Sequence, residues 1–195
     1  MSKSLNAVPY TKGLHEVADG VFAYLQPDGG WGWSNAGLLA SDWSSLLIDT
    51  LFDLNLTRDM LDSMSVVTSG RPIDVVVNTH ANGDHCYGNS LVSGQGGAQI
   101  ITTEAAAQEM NAMPPSAISA LLAIDLGETT NKYVREAFGP FSFDDIDLPP
   151  ADRTFQGELQ LDVGGRTVEL IEVGPAHTAG DLIVYLPDAS TVFCG

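Results

Sequence analysis

Positive charge is what this 195-residue chain has least of: 8 Lys and Arg stand against 25 Asp and Glu, for a formal net charge of −17. A surface of that sign repels phosphate backbones and anionic bilayers, so neither nucleic acid nor membrane is expected as a partner. It also disfavours highly anionic substrates unless a bound cation inverts the local field. Cysteine is nearly absent. The only two, Cys86 and Cys194, indicate no disulfide framework and read as reduced thiols. Long apolar runs are missing as well: no segment approaches a membrane span, and the opening MSKSLNAVPYTKGLHEV has no signal-peptide core. A cytoplasmic protein is the expectation. No repeat, low-complexity tract or linker divides the chain, and its 44% hydrophobic content suffices for one sizeable core, so residues 1–195 are read as a single domain. Two catalytic signatures are also lacking. There is no G-x-S-x-G elbow around Ser34 or Ser90, and the Gly-rich 93-SGQGGA-98 has neither the Lys nor the following helix of a phosphate loop, so it reads as a turn.

What is present reads first as strands. VFAYLQ (21–26), NAGLLA (35–40) and SSLLIDT (44–50), separated by turn signals, predict an antiparallel meander. In 56-LTRDMLDSMSVV-67, Leu56, Met60, Met64 and Val67 share one face of a helix, and the methionines there fill core rather than bind a ligand. The β-branched run 72-PIDVVVNT-79 predicts a strand buried on both faces. AQIITT (98–103) predicts another, followed by a helical segment inside an insertion over 104–150, a candidate lid or dimer contact if it does more than pack. The remainder is strand-rich: ELQLDV and TVELIEV flank a Gly164-Gly165 hairpin turn, DLIVYL follows, and TVFCG ends the chain. Strands, then alternating helix and strand, then strands again imply two sheets with helices outside, an α+β class.

Histidine is scarce too, yet of four in the chain three fall in two strand-exit loops. The stretch 79-THANGDHCYGN-89 leaves the buried strand at its carboxyl end, where layered folds place their chemistry. In an extended segment residues two apart share a side, so His80 and Asn82 converge on one point while Asp84 and His85 turn towards another. His177 can add an imidazole from its own loop. Imidazole nitrogen and carboxylate oxygen are the donors that zinc and similar cations take. His15, in a polar stretch, reads as a surface residue.

The run 80-HANGDH-85 resembles the H-x-H-x-D-H signature of the metallo-β-lactamase superfamily, with Asn82 at the second histidine. The run 47-LIDT-50 looks like that superfamily's strand ending in an aspartate beside the metal loop, here Asp49. The stretch 174-GPAHTAGDLIVYLP-187 looks like the loop and strand carrying a further ligand, here His177, and the closing VFCG like a strand that reads F-x-G-D. The likeness runs through essentially the whole chain in order. It implies an αββα sandwich whose loops gather one or two metal ions at one edge, zinc first, with iron or manganese as alternatives. On this resemblance His80, Asn82 and His177 hold the first ion, Asp84 and His85 belong to the second, and Asp49 supports the loop. The implied activity is hydrolysis of a small ester, thioester or lactone by a metal-activated water, with Asp84 orienting the water or passing its proton. A non-catalytic member with a relaxed site and an iron-dependent sulfur oxygenase are the alternatives. Trp31 and Trp33 can line an apolar substrate cleft or simply pack over the sheet edge, and a homo-oligomer is left open. The aspartate that the resemblance calls for after Gly195 would be residue 196, so the chain is expected to lack the last strands and helix of the sandwich.

Overall fold

The computed structural model describes residues 8–195. Strands β1 (Gly13–Ala18), β2 (Val21–Leu25), β3 (Ala36–Ala40) and β4 (Ser45–Ile48) form the antiparallel meander. Helix α1 (Leu54–Thr68) then returns the chain so that β5 (Ile73–Val77) runs parallel to β4. A one-turn helix α2 (Gly83–Cys86) and helix α3 (Asn89–Gly96) lead to β6 (Gln99–Thr103), again parallel. Helices α4 (Glu104–Met110), α5 (Pro115–Ala123) and α6 (Glu128–Phe138) make up the insertion, which returns through β7 (Arg153–Phe155). These seven strands form one sheet in the order β1 to β7. The second sheet is antiparallel and contains β8 (Glu158–Val163), β9 (Arg166–Glu172), β10 (Leu182–Leu186) and β11 (Thr191–Phe193).

The local reasons are visible. Asp53 caps α1 by accepting the Leu56 N–H at 2.7 Å, a contact worth about 1 kcal/mol, and its other oxygen accepts the Ser142 N–H, pinning the insertion's return to the start of α1. Pro115 opens α5 where its missing N–H costs nothing. Gly164 and Gly165, both at positive φ, make the two-residue turn that pairs Val163 with Arg166.

Two cores result. Between the sheets lie Leu39, Leu46, Val77 and Ile101 from one side and Val168, Leu170, Val184 and Leu186 from the other. On the far face of the larger sheet, Leu38, Leu47, Val76 and Ile100 meet Met60 and Met64 of α1 and Val92 of α3. Each side chain fully buried there stabilises the fold by about 1.5–3 kcal/mol. Val76 and Val77 point to opposite faces and are both buried, as the β-branched run predicts. The outer face of the smaller sheet carries exposed Glu158, Gln160, Asp162, Thr167 and Val192. Among the described residues, then, three of the four αββα layers are present.

One local expectation changes. SGQGGA is not wholly a turn: its first residues finish α3, and Gly97, at φ 69°, caps that helix in the left-handed conformation. His15 lies in a strand, β1, with Nε2 2.7 Å from the Thr11 carbonyl oxygen. Neither β1 nor β7 is prominent in sequence, because one is a half-exposed edge strand and the other only three residues long.

Candidate functional site

Strands β4 and β5 end side by side, and Asp49 links their exits. Its backbone is left-handed, φ 63°, a conformation uncommon outside glycine but tolerated by Asp. One carboxylate oxygen accepts the Thr79 N–H at 2.7 Å; the other accepts the Thr79 hydroxyl at 2.7 Å and faces His85 Nδ1 at 2.8 Å. Because the Thr79 hydroxyl hydrogen is committed to Asp49, its oxygen accepts from His80 Nδ1 at 3.0 Å. That leaves His80 Nε2 as the nitrogen free to act.

His85 lies between two carboxylates, Asp49 at Nδ1 and Asp84 at 3.5 Å from Nε2. Burial works against its charge, but the negative charge and hydrogen bond of Asp49, with Asp84 behind them, hold its pKa above the usual histidine value. His80 goes the other way. Burial, and then the neighbouring His85, push it below the usual value despite Asp49, Asp84 and Asp181. The two rings are 4.1 Å apart between centroids, and His177 stands 5.3 Å from His80 at an interplanar angle of 81°. The amide nitrogen of Asn82 lies 2.9 Å from His177 Nε2.

His80, Asn82, Asp84, His85 and His177 therefore surround one small region, with the His85 ring 4.1 Å from that of His80 instead of turned away from it. The reason is α2. Its helical turn, in which the His85 N–H donates to the Asn82 carbonyl at 3.0 Å, curls residue 85 back over residue 80, where an extended strand would have carried it away.

Sequence reasoning overlooked the support behind these residues. Asn78 and Asn89, both fully buried, exchange side-chain hydrogen bonds at 2.8 and 3.1 Å. The Asn78 amide and the Thr50 N–H both donate to the His85 carbonyl, the Thr102 hydroxyl donates to the Asn78 carbonyl, and the Gly88 N–H donates to the Thr50 hydroxyl. The one visible signal was an asparagine directly after the valine run 75–77 that ends β5. Asp181 was overlooked too: its carboxylate accepts the N–H groups of His177 and Thr178 and the Thr178 hydroxyl. Burial would raise its pKa, but these hydrogen bonds outweigh burial and hold it below the usual carboxylate range.

Cys86 is no nucleophile, since burial pushes its thiol up and its Sγ donates to the Asn82 carbonyl. Both cysteines are free thiols. Trp33 packs on Phe141 and Trp31 meets Phe138 edge-on, each at 5.2 Å, so both indoles contact the insertion and its return. Trp33 sits against the aromatic core around Phe52 and Tyr87, whereas Trp31 remains exposed. Their loop is tied to the site by the Ser34 hydroxyl, which donates to the Asp84 carbonyl.

As the side chains stand, no three His, Cys, Asp or Glu among the described residues form a group that could hold a metal ion. The donor chemistry fits one through a mixed set. Two imidazoles sharing a tetrahedral cation at about 2.0 Å place their centroids about 5 Å apart. His80 and His177 match that at 5.3 Å, while His80 and His85 at 4.1 Å are too close to share one cation in this way. The third donor is the Asn82 amide, which must turn its oxygen inward and give up its contact with His177; an amide oxygen suits a cation that tolerates oxygen.

A family model described as the metallo-beta-lactamase superfamily matches residues 29–195. Hydroxyacylglutathione hydrolases of Brucella ovis and Brucella abortus are 26% identical over 160 residues, covering 80% of this chain and 47% of theirs, so the chain spans about half the length of these curated relatives. Among solved structures, the fold is similar to a metallo-beta-lactamase from Pontibacter korlensis, with a TM-score of 0.65 at 21% identity over 95% of this chain and 71% of that one. It is similar also to the stereoselective inverting sec-alkylsulfatase Pisa1 from Pseudomonas sp., at 0.65 and 18% over 91% of this chain and 30% of that one. No helix among the described residues is long and apolar enough to cross a membrane. With the two-sheet fold, the histidine loops at the ends of β5 and β9 and a family match over most of its length, the chain belongs to the metallo-beta-lactamase superfamily.

Proposed function

We propose that the protein is a metal-dependent hydrolase of small esters, thioesters or lactones. The observation that carries this reading is the gathering of His80, His85, His177, Asn82 and Asp84 at the ends of β5 and β9, with one ring nitrogen of His80 left free. His80 and His177 would hold a divalent cation together with the Asn82 amide oxygen, with Asp84 and His85 beside it. When bound, such a cation supplies Lewis acidity, lowering the pKa of water and polarising a carbonyl oxygen.

The chain's own groups supply the rest. Asp49 fixes the Nδ1 face of His85 and so directs Nε2 into the site. Asp84, which carries the catalytic role in this reading, accepts a proton from water as it adds to the carbonyl carbon, and returns that proton to the leaving alkoxide or thiolate. The exposed Trp31 offers an apolar wall for the acyl or leaving group.

The relatives' printed names, hydroxyacylglutathione hydrolase and sulfatase, support hydrolysis and leave the substrate open. A screen of ester, thioester and lactone substrates with zinc, manganese or iron supplied tests the reading. Turnover should fall at least 100-fold in His85→Ala, the scale on which removing one catalytic partner acts. Turnover unchanged in His85→Ala overturns the hydrolase reading, and so does stoichiometric cation binding without turnover, which would instead favour the relaxed, non-catalytic site that the Asn82–His177 contact suggests.

A further inference from the structure

We infer that Asp181, backed by Glu109 of the insertion, is the positioning residue that fixes His177 in the site. The imidazole stands on an exposed loop between β9 and β10, where its ring meets His80 edge-on at 5.3 Å and the Asn82 amide at 2.9 Å. Backbone bonds close the loop, from the Val173 and Gly174 N–H groups to the Asp181 carbonyl and from the Ala176 N–H to the Thr178 carbonyl, and two carboxylates order the residues around His177. Asp181 accepts three: the N–H of His177, the N–H of Thr178 and the Thr178 hydroxyl, so the backbone on both sides of the His177 carbonyl is tied to one side chain. Glu109, on α4, accepts the Ala179 N–H at 3.0 Å.

A second, independent contact seats the same loop on α4. Gly180 is buried, its carbonyl accepts the Thr103 hydroxyl at 2.7 Å, and a Cβ added to it would fall 2.2 Å from the Ala106 nitrogen. Thr103 is itself the N-cap of α4, accepting the Ala106 N–H. The first turn of the insertion therefore forms the floor under the His177 loop. This gives the 104–150 segment a role beyond packing: it holds one wall of the site through Glu109 and through the Ala106 backbone against which Gly180 is pressed.

The functional consequence rests on the reading of His177 as a cation ligand. Groups that orient a ligand from behind alter metal affinity or activity by about 10 to 100-fold when removed. A carboxylate that receives two N–H groups also does what an amide cannot, since Asp181→Asn leaves a single carbonyl oxygen to accept them.

Hydrogen–deuterium exchange on the cation-free chain and zinc titration by calorimetry test the inference together. In Asp181→Ala the amides of residues 177–179 should exchange at least about tenfold faster, while β8, β9 and β10 keep their protection and Tm stays within about 2 °C. Zinc affinity should fall about tenfold or more, with Asp181→Asn intermediate. Glu109→Ala should speed exchange at Ala179 and weaken zinc about threefold, and Glu109→Gln, which keeps an acceptor oxygen, should restore both.

Unchanged exchange at residues 177–179 in Asp181→Ala overturns the inference regardless of zinc. Faster exchange with wild-type zinc affinity also overturns it, because the bonds would then order the loop without positioning the ligand. If the unsubstituted chain binds no zinc, manganese or iron while exchange responds as expected, the clamp on His177 stands and the metal reading fails.

Discussion

Two loops meet at the site, and they are held by opposite means. The loop from Asn78 to Tyr87 is anchored from beneath by fully buried amides and hydroxyls, with no water to compete for their bonds. The loop from Gly174 to Asp181 is anchored from its flank by two carboxylates at the surface and by a glycine pressed onto α4. A buried polar group that loses its partner keeps the full desolvation cost, whereas a surface group regains water. The His80–His85 side of the site should therefore move only when the fold itself loosens. The His177 side should be able to shift while the core stays intact.

The sharpest way to break that contrast is Asn89→Ala. It strips Asn78 of its reciprocal partner in a fully buried place, so unfolding by urea should show a loss of about 3 kcal/mol spread over the whole molecule, with the denaturant slope unchanged. Gly180→Ala comes next. The added methyl must displace backbone at Ala106, an overpacking expected to cost about 1–2 kcal/mol, and limited proteolysis should report the change within residues 174–181 and α4 while α1 remains protected. A uniform loss of protection across both loops would erase the distinction between them.

The smallest effect belongs to a surface pair away from both loops. Arg166 forms two hydrogen bonds to the half-exposed Asp188, at 2.7 and 3.1 Å, and these hold the Asp188 carboxyl below the usual carboxylate range against the opposing effect of burial. A folded-state pKa below the unfolded one stabilises the protein above the unfolded value and ceases to do so as pH falls through the folded one. Thermal melts of Asp188→Asn should thus show a deficit under about 1 kcal/mol at pH 7, discounted for solvent screening, that closes as pH drops below about 4.

Much of the first loop could be read in advance, and little of the second. The β-branched run before Asn78 announced a doubly buried strand, and HANGDH at its end announced the candidate donors, because both patterns are local in sequence. The Gly164-Gly165 turn was legible for the same reason. Glu109 was not, since what it does depends on α4 docking beneath a loop 70 residues further along, and Asp181, though it acts on residues only three and four positions before it, lies in a loop with no periodicity to show which N–H groups it accepts. The helical curl of α2 was also missed: four residues are too few to show a period, so the extended reading did not bring His85 back beside His80. Trp31 and Trp33 could not be assigned from sequence, because their partners Phe138 and Phe141 lie more than a hundred residues away.

The left-handed backbone at Asp49 has a consequence for how freely this site can vary. A side chain with a branched or bulky Cβ is strained at φ 63°, which leaves glycine, asparagine and the resident aspartate as the comfortable choices. Of these only aspartate brings the negative charge that faces His85 and the paired oxygens that take both Thr79 donors. Backbone shape and side-chain charge thus select the same residue on separate grounds. Exchanging it for asparagine or glycine would keep the turn while discarding the anion, which makes this single position a place where the folding requirement and the chemical requirement can be pulled apart.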